Sequence, residues 1–274
     1  MNFSRRNFSI FFIIVSITFA PLSLAREYEL LRAPQSSMIK LSKAWKPFLV
    51  KLKKETGISL KLKLFNKRQQ FEQYLSTGQY DFLFANPYYS LLVKDKLGYE
   101  AIVRSDAKRL KGIIVVSADS TITINNLHNK TVAFPGRNAL AASLLVRSIL
   151  ARQGITIAPI YTQSHQNTYL SVLNKSSVAG GGIKRTFNEF KAKEQLKIIF
   201  KTPGLAMHPL SIHSRVPEKD KLKILSFIFK LQKTVAGRKI LKKIRLAKPV
   251  AVDFIRDYKI LRDLKLEKFS TIQL

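Results

Sequence analysis

Apolar and polar residues alternate along the chain in two rhythms, a period of two that marks strands and a three-to-four spacing that marks helices. Residues 28–32 read as a short strand, and the polar turn 33–37 leads into a helix through Trp45 and Phe48 to about Glu55, closed by Gly57. From Ile58 to Leu64 apolar and polar residues alternate, so one face of this strand meets water and the other a core, which suits a sheet edge. A helix through Phe71, Tyr74 and Leu75 stops at Gly78, and residues 80–84 form a strand that is apolar except for Asp81, the pattern of a central position. Beyond Lys111 the alternation resumes, with strands at 113–116, 131–134, 159–162 and 196–200, a polar connection at 119–127, and helices in the tail from Pro217 broken at Gly237 and Pro249. Repeated β and α units predict an α/β fold of mostly parallel sheets with helices on both faces. The units are too many for one sheet and shift near Lys111, so two lobes are expected: residues 26–110, an inserted lobe at 111–205, and a return to the first lobe over 206–274.

The stretch 129–155 is the centre of this organisation. Residues 131–134 form a β-prone run, Pro135-Gly136 breaks it, and Asn138 stands as an N-cap before helix formers that end at Gly154. Helix starts attract anions, because unpaired backbone N–H groups and the positive end of the helix dipole point the same way, although a βα unit without a ligand has the same pattern. The turn Ala85-Asn86-Pro87-Tyr88-Tyr89-Ser90 lies at the carboxyl end of a strand, where open α/β folds hold ligands. There Tyr88 either offers a flat wall and a hydroxyl or packs inward. Ser164-His165 ends another strand and opens a helix, so His165 is a candidate anion donor or an ordinary surface residue. Gly180-Gly181-Gly182 either approaches a phosphate closely or serves a tight strand-to-helix turn.

Charge changes the picture. The 274 residues carry 48 Lys+Arg against 17 Asp+Glu, a formal net charge of +31, which favours anionic solutes and surfaces as partners. The basic residues are scattered, with neither the clustering nor a motif of nucleic-acid binders, so no nucleic acid is expected. Arg5-Arg6, the apolar run 8–19 and the small-residue site Ser23-Leu24-Ala25 have the layout of a cleavable secretory signal over residues 1–25. A retained membrane anchor is the alternative, since the run falls only slightly short of the ~20 residues that span a bilayer. The chain has no cysteine, which removes disulfides, thiol nucleophiles and thiolate metal sites and agrees with an exported protein that folds on its core alone.

The four histidines, at 128, 165, 208 and 213, have no zinc-hydrolase spacing, and neither a nucleophile elbow nor a phosphate-binding P-loop is present. Carboxylates are too few to suggest an acid/base pair. The residues therefore point to binding, with no catalytic set, metal or cofactor expected.

The order of several short motifs resembles the phosphate/phosphite/phosphonate-binding proteins of ABC transporters: Trp45-Lys46-Pro47-Phe48, then Tyr80-Asp81-Phe82-Leu83-Phe84 running into Asn86-Pro87-Tyr88, then Asn129-Lys130-Thr131-Val132-Ala133-Phe134, Ser164-His165, and Lys201-Thr202-Pro203 with His208-Pro209-Leu210. The resemblance implies a type II-like, two-lobed periplasmic-binding-protein fold that closes like a hinge on a small anionic solute, acts as a monomer and delivers the solute to an ABC permease. A membrane sensor as the partner is the alternative. It further implies a ligand held by Tyr88, Asn138, Ser164 and His165, with Gln35, Ser36 and Arg137 as further candidates. At the helix start, where the phosphonate binders usually carry Ser-Thr-Ser-Gly, this chain reads Ala139-Leu140-Ala141-Ala142. The missing hydroxyls leave the identity of the anion open, because each lost hydrogen bond to a buried polar ligand costs roughly 1–3 kcal/mol.

Overall fold

The computed structural model describes residues 27–272 and residue 274, so the signal-sequence reading of 1–25 lies outside the described residues. Eleven strands follow one another among the described residues: β1 (Glu27–Arg32), β2 (Ser59–Lys63), β3 (Phe82–Phe84), β4 (Tyr99–Ser105), β5 (Gly112–Ser117), β6 (Thr131–Phe134), β7 (Ala158–Tyr161), β8 (Ala179–Ile183), β9 (Leu196–Lys201), β10 (Pro209–His213) and β11 (Pro249–Ala251). The helices between them are α1 (Met38–Thr56), α2 (Arg68–Thr77), α3 (Pro87–Leu97), α4 (Leu145–Arg152), α5 (His165–Leu173), α6 (Lys184–Asn188), α7 (Glu218–Lys233), α8 (Val235–Lys243) and α9 (Phe254–Asp263). Local chemistry sets their ends. The Ser37 hydroxyl accepts from the Lys40 amide at the start of α1, Gly57 closes that helix in the left-handed region, and Asn86 caps α3 by accepting from the amides of Tyr88 and Tyr89.

Two sheets result, one per lobe, in the orders β11-β4-β10-β3-β1-β2 and β7-β6-β8-β5-β9. They are mixed, which corrects the expectation of mostly parallel sheets. β1 pairs in parallel with β2 and β3, and β6 with β7 and β8, but β10 runs against β3 and β4, β11 against β4, and β5 against β8 and β9. The reason lies in the crossings. The chain leaves the first sheet at the end of β4 and re-enters it at the start of β10, so the start of β10 lies beside the ends of β3 and β4 and the strand runs back along them. The two crossing segments touch through a reciprocal backbone pair, Leu110 N to Leu205 O at 2.8 Å and Leu205 N to Leu110 O at 2.9 Å.

The first lobe is centred on Leu30, Phe82 and Phe84; Trp45 of α1 packs edge-on against Phe84 and Phe48, and Phe48 packs edge-on against Phe227 of α7. A separate apolar cluster joins the lobes: Tyr88 and Leu91 of α3 meet Leu140, Leu144 and Leu145 of the second lobe, together with Leu205, Tyr258, Leu261 and Leu264. Among the described residues no helix is long and apolar enough to cross a membrane.

Candidate functional site

Arg32 is the last residue of β1, and its strand register drives the guanidinium into the protein, where it is only 1% exposed. Its Nη1 donates to the carbonyls of Ala33 (2.7 Å) and Phe84 (3.3 Å), its Nη2 donates to Oε1 of Gln35 (3.0 Å), and its Nε is buried with no partner. The guanidinium carbon lies 4.9 Å from the centre of the Phe84 ring. Arg245, just after α8, donates to the same Gln35 oxygen at 2.7 Å, and the Gln35 amide nitrogen meets the Nε2 of His208. One neutral amide oxygen therefore serves two guanidiniums. Burial, helped by Arg245, lowers the Arg32 pKa to about 9, and burial together with Arg32, Arg245, Arg185 and Arg68 holds His208 well below the usual histidine value.

A second group lies near the first, close enough that the charges of Arg185 and Arg68 act on His208. Arg68 opens α2, its Nη1 donates to the Tyr89 hydroxyl (3.3 Å), and its Nε would stand 4.0 Å from a Cβ placed on Gly136 of the second lobe. His165 opens α5 behind Ser164, whose hydroxyl caps the helix by accepting from the Asn167 amide (3.1 Å). The His165 Nδ1 is buried without a partner, and burial followed by the charges of Arg185 and Arg68 lowers its pKa to about 4. Arg185, on the exposed start of α6, pairs with Glu189 at 3.0 Å. Among the described residues no carboxylate lies within ion-pairing distance of Arg32, Arg68 or Arg245.

The expected residues are distributed unevenly over this arrangement. Gln35 and His165 lie in the two cationic groups, with Ser164 setting the start of the helix that carries His165. Ser36 is exposed in the first loop, and Arg137 is exposed with its guanidinium 4.8 Å from the Tyr161 ring centre. Tyr88 packs inward in the cluster between the lobes, its hydroxyl buried without a partner. Asn138 is not a helix cap: its Nδ2 donates to Glu72 of α2 (3.1 and 3.2 Å) and to Thr271 (3.2 Å), and its Oδ1 accepts from the Thr271 amide (3.1 Å). The helix expected from Asn138 instead begins with a wide turn over Leu140–Leu144, where amides bond five residues back, and becomes regular only in α4. That turn is pressed against the sheet. A Cβ on Gly112 would lie 2.0 Å from the Ala141 carbonyl oxygen, and one on Gly181 would lie 2.3 Å from that of Ala142. Gly182 faces Tyr169 just as closely, so the glycine run serves packing within β8 and the tight turn reading does not hold.

The segment after α9 completes the closure. Ser148 donates to the Leu264 carbonyl (2.6 Å), Arg147 donates to the Phe269 carbonyl (2.7 Å), and Thr271 reaches Asn138, so residues 264–271 form a strap across the start of the second lobe's helix. The cationic residues that sequence reasoning did not select are Arg32, Arg68, Arg185, His208 and Arg245. Arg32 at a strand's carboxyl end and Arg185 just after β8 carry a positional signal, whereas nothing local marks Arg245.

The family described as "ABC transporter, phosphonate, periplasmic substrate-binding protein" matches residues 31–258. No match to a curated protein was found. Among solved structures, a binding-protein component of an ABC phosphonate transporter from Pseudomonas aeruginosa is 19% identical and covers 88% of this chain and 86% of its own, with a TM-score of 0.72. A Prochlorococcus marinus protein in complex with methylphosphonate is 16% identical over 88% of this chain and 98% of its own, with a TM-score of 0.74. A Xanthomonas citri protein bound to chloride is 14% identical over 89% of this chain and 98% of its own, with a TM-score of 0.75. With a family match over most of its length and this two-lobed fold, the chain belongs to the periplasmic substrate-binding proteins of ABC phosphonate transporters, a family that captures solutes and is not catalytic.

Proposed function

We propose that the protein captures a small oxyanion of the phosphonate or phosphate kind between its lobes and hands it to an ABC permease at the periplasmic face of the membrane. Arg32, Gln35, His208 and Arg245 hold the anion from the first lobe, Arg68 and His165 close on it from the junction, and Arg185 contributes charge from the rim. Residues 26–110 with 206–274 form one jaw and 111–205 the other, and the crossing segments at Leu110 and Leu205 act as the hinge. The signal at 1–25 delivers the chain to the periplasm.

A single observation carries the reading: the Arg32 guanidinium is buried with its Nε unpaired and shares one amide oxygen with a second arginine, with no carboxylate to balance either. An unbalanced buried charge costs several kcal/mol, and a bound oxyanion offsets that cost through charge-assisted hydrogen bonds. That the fold's solved relatives hold methylphosphonate, chloride and, in a second Xanthomonas citri structure, ATP supports an anion as cargo.

The test is a thermal-shift series of the full chain with phosphate, methylphosphonate and sulfate at fixed salt. A ligand at ~100 times its dissociation constant adds about 2.7 kcal/mol of stability. Stabilisation by at least one of these anions, lost in Arg245→Gln and His165→Gln, is the expected result. A folded protein that none of them stabilises would overturn the reading.

A further inference from the structure

The two faces of the first sheet carry helices of very different charge. Leu30 and Phe82 pack on the side covered by α1, α7 and α8, and the alternate residues Leu31 and Leu83 on the side covered by α2 and α3. The helices α1, α7 and α8 hold fifteen lysines and arginines against three acids, whereas α2 and α3 hold three against two. The three acids are already engaged or buried: Glu55 lies between Lys51 (2.7 Å) and Lys230 (3.0 Å), Glu218 is 3.4 Å from Lys221, and Asp220 is buried. Basic residues that look scattered along the chain are thus gathered by the fold onto one side of the first lobe.

The same side exposes aliphatic residues. On α1 the stripe opposite Trp45 and Phe48 reads Ile39-Lys43-Lys46-Val50-Lys54 at helical spacing, and all five residues are exposed. Leu222 of α7 adjoins Lys223, and Val235 of α8 stands one turn from Lys239. Four of the eight large apolar side chains exposed among the described residues therefore lie here, each at least 55% exposed. At the edge of the face, a groove of about 690 Å³ between α1 and the end of β2 is lined by Met38, Leu62, Leu64 and Phe65 together with Lys43. Aliphatic side chains ringed by lysines suit a lipid headgroup layer, where the chains enter the acyl boundary and the ammonium groups meet phosphates. A single-stranded nucleic acid calls for exposed aromatic rings on which bases stack, and the eight exposed residues are all aliphatic. Phosphate contact with a duplex leaves the aliphatic residues without a role.

We infer that the face formed by α1, α7 and α8 binds anionic lipid at a membrane surface, its lysines on the lipid phosphates and Ile39, Val50, Leu222 and Val235 at the headgroup boundary. None of these residues belongs to the proposed anion site. A chain held at the membrane meets a permease at a higher effective concentration than one free in solution.

Flotation of the full chain compares vesicles of phosphatidylcholine alone with vesicles of an equal mixture of phosphatidylcholine and phosphatidylglycerol. The neutral vesicles report any contribution of the apolar run 8–19, and the excess on the anionic vesicles reports the basic face. Partitioning at least about tenfold stronger onto the anionic vesicles, falling as salt rises from about 0.1 M to about 1 M, is the expected result. Lys46→Glu, Lys54→Glu, Lys239→Glu and Lys243→Glu together should remove most of the excess. Lys130→Glu, Lys175→Glu, Lys191→Glu and Lys197→Glu make the same change of net charge at exposed positions of the second lobe and should alter it by less than about threefold. Val50→Gln with Leu222→Gln should weaken binding to the anionic vesicles at unchanged charge. Circular dichroism checks that each variant is folded, and the corresponding Lys→Gln changes carry the same test if the reversed chain does not fold. Equal binding to both kinds of vesicle, equal losses for the two sets of lysines, no effect of the aliphatic pair, or tighter binding to duplex DNA than to anionic vesicles at equal phosphate concentration would each overturn the inference.

Discussion

His165 and Arg104 show how burial decides what a charged or titratable residue can do. His165 is neutral when folded, with its pKa lowered to about 4 against 6.5 in an unfolded chain. Above pH 6.5 neither state is protonated and its contribution is constant. As pH falls from 6.5 to 4 the unfolded chain takes up a proton that the folded one refuses, so stability drops by about 2–3 kcal/mol. Thermal melts between pH 7 and pH 4.5 should fall less steeply for His165→Asn than for the native chain, and sulfate, which stays ionised throughout, should shrink the native loss by supplying a counter-charge. Identical slopes for the two proteins would disprove the assignment. Arg104 is the opposite case, a buried cation fully matched: its Nε and Nη2 grip both oxygens of Asp257 at 2.8 Å. Removing the carboxylate with Asp257→Ala takes away its buried partner, leaves the exposed Asp106 (2.6 Å) as its remaining counter-charge, and should cost about 1–3 kcal/mol in denaturant unfolding. The same pair explains why β4 is hard to read locally. Arg104 interrupts the apolar pattern of residues 99–105, and the partner that makes it a strand residue lies about 150 positions away.

At the scale of elements, the wide turn over Leu140–Leu144 and the glycines of β8 form one device. Backbone carbonyls of the turn approach the sheet so closely that only hydrogen fits at Gly112 and Gly181, which is why a strand of poor β-formers stands between β6 and β5. Gly181→Ala forces its methyl group against the Ala142 carbonyl and the Phe134 ring and should destabilise the protein by at least about 1–3 kcal/mol, read as a lower denaturation midpoint. A neutral substitution there would show that the close approach is not maintained in solution. The packing also bears on the absent hydroxyls: Leu140, Ala141, Ala142 and Leu144 are buried, and Leu140 and Leu144 pack in the apolar cluster with Tyr258 and Leu264, where a polar side chain would need a partner. Gly57, Gly78 and Gly98 end α1, α2 and α3 in the left-handed region as their positions after helix-forming runs indicate.

For the whole molecule, the strap and the hinge set opposing preferences. Leu110 and Leu205 give a narrow connection about which the lobes can turn, while Asn138, Glu72 and Thr271 tie the second lobe to α2 and to the segment after α9. Asn138→Ala cuts this tie and should raise hydrogen exchange at the Thr271 amide and increase the radius of gyration of the ligand-free protein in small-angle scattering. Unchanged exchange and unchanged scattering would show that the apolar cluster alone holds the lobes. The sequence by itself determined the alternation of strands and helices, the helix ends at glycines, and the pull toward anions, because periodicity, caps and net charge are properties of neighbouring residues. It marked His165 as a candidate from its place at a strand's carboxyl end, and Gln35 only through the family resemblance. Tertiary structure alone decided the mixed sheet order, the capture of Asn138 by Glu72 and Thr271, and the meeting of Arg32, Arg68, Arg185, His208 and Arg245. These depend on which distant segments share a sheet edge and on which charges are left unmatched once water is excluded, and neither is encoded in any local run of residues.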